Sequence, residues 1–78
     1  MNERRLNQDP ERIRRRRVAA GLEAQALARL ANISKGYLSS IEHGRANASP
    51  KVLGRIAAAL DCTIADLMPQ AHEEVKSA

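Results

Sequence analysis

Ala24-Gln25-Ala26-Leu27-Ala28-Arg29-Leu30-Ala31-Asn32-Ile33-Ser34-Lys35-Gly36-Tyr37-Leu38-Ser39-Ser40-Ile41-Glu42-His43 is the stretch on which the fold turns. Ala24, Leu27, Ala28 and Ala31 fall at i, i+3, i+4 and i+7, which predicts a short amphipathic helix over residues 23–31. Asn32 tolerates the left-handed backbone that ends such a helix. Ser34 is a good N-cap for a second helix, which turns Leu38 and Ile41 inward and stops at Gly44. Ala28 is small, as a close crossing of the two helices requires.

Similar punctuation continues on both sides. Asp9-Pro10-Glu11 reads as a helix start: an N-cap, a proline in the first turn and an early acid. That helix runs to about Ala20 and stops at Gly21. Ser49-Pro50 repeats the signal and opens a helix with Leu53, Ile56, Ala57 and Leu60 on one stripe. Thr63 caps a fifth, short helix with Ile64, Leu67 and Met68 on one face, closed by Pro69. Cys62 reads as a small buried hydrophobe at the end of the fourth helix. Tyr37 is the one aromatic residue, so Leu, Ile, Val and Ala must build the core. These residues predict an all-α fold, a compact five-helix bundle. Residues 1–8 read as a flexible basic arm, 9–68 as the folded domain, and 69–78 as a polar tail.

The charge is graded along the chain. Residues 1–17 carry seven arginines against three acids, residues 18–60 net +3, and residues 61–78 net −3. A basic front and an acidic tail suit a polyanionic partner, with nucleic acid ahead of a membrane surface. No apolar run approaches a membrane span, and the arginine-rich start lacks the apolar region of a signal peptide. A lone Cys62 forms no internal disulfide. A soluble, cytoplasmic protein without membrane contact is expected.

Two short helices joined by about three residues form a helix-turn-helix. Lys35, Gly36, Ser39, Ser40 and His43 fall on the outward side of its second helix. That face is small or polar, and it can enter a major groove with its N-terminal end against base edges.

From Ile13 to Met68, 56 of the 78 residues, the chain resembles the phage Cro/repressor (XRE-like) helix-turn-helix family. The residues that carry the resemblance are Arg17-x3-Gly21-Leu22, Leu27-Ala28, Ile33 to Glu42 followed by Gly44, and Ile56-Ala57-x-Ala59-Leu60. It implies a lambda repressor-like domain whose recognition helix, about 35–43, lies in the major groove. On that resemblance Lys35, Gly36 and Ser40 match base-facing positions. Tyr37 and Ser39 match positions that often meet phosphate, and Ser39 is also expected, with Lys35, Gly36 and Ser40, to contact bases. His43 and Arg45 match the turn that meets the DNA backbone. Arg17 and Glu42 match a partly buried ion pair. Two residues depart from the family pattern. Ala24 stands where the family usually has a phosphate-binding Gln, and Arg16 where an apolar residue is common.

Blander readings stand beside these. Four successive arginines on a helix point in every direction, so Arg14 to Arg17 can be a solvated face plus one ion pair. One or two of Arg4, Arg5, Arg12 and Arg16 are expected to reach phosphate. Tyr37 can pack against the preceding helix. His43 and His72, with a single Cys62, make no metal site, and no cofactor is expected. The serines make no catalytic triad, so the chain is not expected to be an enzyme. The leading expectation is a transcriptional repressor acting as a homodimer on a palindromic operator. Ile64, Leu67 and Met68, exposed in the monomer, would form the dimer interface. The alternative is a protein-interaction module, such as an antitoxin that binds a toxin, with the acidic tail of Glu73 and Glu74 meeting the protein partner.

Overall fold

The computed structural model describes residues 6–69. Four helices follow one another: α1 (Pro10–Ala19), α2 (Ala24–Leu30), α3 (Lys35–Glu42) and α4 (Pro50–Ala59). A 3-10 turn, Ile64–Leu67, closes the bundle, and there is no strand among the described residues.

The helix starts follow the capping chemistry of the sequence. Asp9 accepts from the amides of Glu11 and Arg12, Ser34 from Tyr37, and Ser49 from Val52. Each bond satisfies an amide that has no partner inside its own helix. The helix ends follow equally direct rules. Asn32 takes φ 61° between α2 and α3, and Gly44 takes φ 74° just beyond α3. A Cβ at Gly44 would also sit 3.6 Å from Pro10 Cγ and 3.8 Å from Leu6 Cδ1.

All four helices and the closing turn supply the core. Ile13, Leu27, Leu38, Ile41, Ile56 and Leu67 are fully enclosed, and Ala28 is buried where α2 and α3 pack. These helices run for only seven to ten residues. Helices so short are marginal alone in water, so this shared interior holds them in place.

Several expectations need correction. The fifth helix is a single 3-10 turn. Thr63 and Asp66 cap it reciprocally, while Met68, directly before Pro69, is forced to extended backbone (φ −96°, ψ 159°). Too few residues remain between cap and proline for a regular α-helix. Its backbone and side-chain bonds to Thr63 hold the Asp66 carboxyl below its ordinary value. Leu67 is not a surface residue. The Asp9 amide donates to its carbonyl at 2.8 Å, and its side chain is fully buried. Ile64 and Met68 remain exposed. Cys62 is half-buried, not a core residue, and this partial burial pushes its thiol up. The segment before α1 is packed from Leu6 onward, and Gln8 is 1% exposed. The folded domain therefore begins before Asp9.

Candidate nucleic-acid interface

The interface is built on α3, which packs against α1 and α2. Leu38 and Ile41 enter the core. Glu42, also buried, receives Arg17 of α1 in a two-pronged ion pair, Nε to Oε2 at 2.7 Å and Nη2 to Oε1 at 3.1 Å. The remaining arm of the guanidinium, Nη1, donates to the Leu22 carbonyl at 2.9 Å. Arg17 thus ties α1, the α1–α2 turn and α3 together. The opposite side of α3 faces solvent.

Lys35 and Gly36 occupy the first turn of α3, and both are exposed. Gly36 is informative. It has ordinary helical backbone, and a Cβ built on it would meet nothing within 4 Å. Neither strain nor crowding inside the protein calls for glycine there. Glycine inside a helix costs about 0.5–1 kcal/mol relative to alanine. A bare backbone at the tip of an outward helix suits close approach by an external surface.

Further along α3, Ser39 and Ser40 are half-buried, and His43, the C-cap, is exposed. The His43 ring nitrogen Nδ1 lies 2.8 Å from the Ser39 carbonyl. A carbonyl only accepts, so Nδ1 carries the proton in the neutral ring. Nε2 is then an acceptor, and it can donate to a phosphate only as the imidazolium. Arg45 is exposed just beyond, with its backbone amide fixed to the Ser40 carbonyl at 2.8 Å. Tyr37 is half-buried, and its hydroxyl donates to the Asn47 carbonyl at 3.2 Å. In this conformation its one proton is directed into the protein, not toward a ligand.

The structure therefore brings Lys35, Gly36, Tyr37, Ser39, Ser40, His43 and Arg45 together along α3 and the turn after it. Arg16 stands apart. Its guanidinium lies 3.8 Å from Asp66 of the closing turn, away from the Arg17–Glu42 junction. Arg14 and Arg15 are solvated. Ala24 is half-buried at the start of α2, where Glu23 makes no side-chain cap. Arg4, Arg5, His72, Glu73 and Glu74 lie outside the described residues. Among the described residues, no group of His, Cys, Asp and Glu is arranged to hold a metal. No helix of the described residues is long and apolar enough to cross a membrane.

Sequence reasoning missed Asn7, Gln8 and Asn47. The Gln8 carboxamide donates to the carbonyls of Ile41 (3.2 Å) and Ala46 (2.8 Å) and accepts from the Ala48 amide (3.0 Å). Asn7 bonds through its amide to Asn47 Oδ1 (2.7 Å) and through Nδ2 to the Ala48 carbonyl (2.9 Å). Periodicity of apolar residues carries no signal for polar side chains that bond to backbone.

Fold and site together define a helix-turn-helix domain with an open recognition-helix face. A model of the helix-turn-helix family HTH_3 matches residues 13–67. The chain belongs to this family, the XRE-type helix-turn-helix proteins. It is 36% identical over 64 residues to the HTH-type transcriptional regulator SinR of Bacillus subtilis, covering 81% of this chain and 58% of SinR. The chain thus spans little more than half the length of that curated relative. It is also similar to the restriction-modification controller protein C.AhdI of Aeromonas hydrophila. There the TM-score is 0.74 and the identity 32%, covering 76% of this chain and 89% of that one. The P22 c2 repressor, solved in complex with a synthetic operator, gives a TM-score of 0.72 and 27% identity over 76% of this chain and 89% of that one.

Proposed function

We propose that this chain is a sequence-specific double-stranded-DNA-binding transcription regulator, a repressor that acts as a homodimer on an inverted-repeat operator. The observation that carries this reading is the exposed first turn of α3, where Lys35 stands beside a Gly36 that the fold itself does not require. The family and the names of the relatives, a transcriptional regulator, a restriction-modification controller and a repressor solved with a synthetic operator, support it.

In this reading α3 enters the major groove with Lys35 reading a guanine edge, Gly36 letting the backbone approach, and Ser39 and Ser40 beside them. Arg45 meets the phosphates at the end of α3, and His43 joins it only as the imidazolium. Tyr37 joins them only if its hydroxyl leaves Asn47. Arg4, Arg5 and Arg16 add to the positive field. One short helix covers only a few base pairs, so two copies about 34 Å apart supply the discrimination. Ile64 and Met68, the exposed apolar residues of the last turn, are the proposed contact between copies. An electrophoretic shift on inverted-repeat DNA tests the reading, and the affinity should fall steeply with salt. Stable capture of a protein partner without any shift would favour the interaction-module reading instead.

Two substitutions on α3 have distinct expected outcomes. Lys35→Ala should relax base preference at one position per half-site and cost about 1–3 kcal/mol on the preferred sequence. A uniform loss across all sequences would make Lys35 a phosphate contact. Gly36→Ala should raise stability by about 0.5–1 kcal/mol while weakening DNA binding. Calorimetric melting and a binding titration on the same preparation separate the two effects. Unchanged affinity would show that nothing approaches the backbone there.

A further inference from the structure

Every hydrogen-bonding group of the Gln8 side chain is used, and the residue is enclosed at 1% exposure. An apolar side chain of the same length would fill the space as well. The bonds themselves are what distinguish glutamine, and all three go to one place: the last turn of α3 and the loop after it. The same loop is tied three times more. Asn47 accepts at its carbonyl from Tyr37 and at its Oδ1 from the Asn7 amide, and Ala48 accepts at its carbonyl from Asn7 Nδ2. Three successive carbonyls, those of Ala46, Asn47 and Ala48, are thereby each held by a side chain. Arg45 is bracketed by these ties, its own amide on Ser40 and its neighbour's carbonyl on Gln8.

We infer that Gln8 is a positioning residue for DNA binding: its carboxamide sets the loop that presents Arg45 beside the recognition helix. The inference rests on the DNA-binding reading above. Gln8 itself is buried and touches no DNA. It acts by removing the freedom of a loop that would otherwise have to be ordered on binding, a cost that preorganisation avoids. The segment ahead of α1 thus belongs to the DNA-binding machinery.

The test uses the duplex recovered by selection from a random DNA pool, with the full chain. Gln8→Met keeps the length and removes all three bonds. It should bind this duplex about tenfold more weakly, the size of one charge-assisted hydrogen bond. The slope of log affinity against log salt should fall by about one. Both are read at a temperature where circular dichroism shows the variant folded. Arg45→Ala should lose a similar amount. The double variant Gln8→Met/Arg45→Ala should be no weaker than Arg45→Ala, because both changes remove one contact. Wild-type affinity and salt slope in folded Gln8→Met would overturn the inference, as would losses that multiply in the double variant. If Gln8→Met does not fold, Asn7→Ala replaces it, removing only the Nδ2 bond to Ala48. It should lose about two- to threefold, a few tenths of a kcal/mol as for a minor loop tie, and nothing further in the Arg45→Ala background. Equal losses in both backgrounds overturn the inference. Failure of the wild-type chain to bind any duplex would remove the DNA-binding reading itself, a result distinguishable from all of these.

Discussion

Glu42→Ala is expected to lower stability by about 3–5 kcal/mol, the range for breaking one side of a buried ion pair. The side chains of Arg17 and Glu42 are only 15% and 4% exposed, and the carboxylate receives two guanidinium bonds. Without Glu42 the guanidinium keeps the Leu22 carbonyl as its remaining acceptor and stays largely out of water. A domain of this length has a total stability near the low end of the usual 5–15 kcal/mol, so the loss takes much of it. Denaturant unfolding should show a lower midpoint with the slope unchanged. The double replacement Arg17→Met/Glu42→Leu should recover a large part of the loss, because it removes both charges together. A loss below about 1 kcal/mol for Glu42→Ala would place the pair with ordinary surface salt bridges and contradict its role as the anchor of α3.

Leu38→Ala should cost about 2–5 kcal/mol, the transfer energy of the side chain plus the cavity it leaves. Leu38 is fully enclosed, and it sits in the middle of a recognition helix of eight residues. A helix that short has little stability of its own, so its position comes from Leu38, Ile41 and the Glu42 pair. Leu30→Ala is the matched control. Leu30 lies at the end of α2 and is 60% exposed, so its replacement should stay within about 0.5 kcal/mol of the parent. Thermal melts of the two variants should therefore differ clearly. Saturating DNA should recover part of the Leu38→Ala loss, since a ligand of the native state shifts the unfolding equilibrium. Equal melting of the two variants would mean that Leu38 does not hold α3 to the body.

Much of this arrangement was legible because it depends on local chemistry. Ser34, Ser49 and Asp9 cap helices for reasons contained within three residues. Asn32 takes its left-handed turn because few other side chains tolerate it. Leu38 and Ile41 face inward by spacing alone. The family resemblance supplied the Arg17–Glu42 pair, whose partners lie 25 residues apart, and the structure places them together. What stayed hidden is non-local or polar. Gln8 reads as part of a loose arm because nothing in its type marks it for burial, and its partners lie 33 to 40 residues away. Leu67 reads as exposed together with Ile64 and Met68, since a short run has no periodicity to tell inside from outside. Its side chain is enclosed in the core and its carbonyl accepts from the Asp9 amide, contacts made with residues distant in sequence. Asp61 adopts φ 56° after α4 without an Asn or Gly to announce it. The face of α3 was legible as a face, but the engagement of Tyr37 by Asn47 depends on where the loop after α3 folds back.

Selection of bound duplexes from a random DNA pool, sequenced after several rounds, tests base reading by α3 most directly. The expected result is an enriched inverted repeat with two half-sites whose centres lie about one helical turn apart, and a fixed G·C pair in each half-site. That pair should lose its preference when the selection is repeated with Lys35→Ala. A pool that remains random while the protein binds at low salt would contradict the account, because it would leave only the charge of the chain and no reading by α3.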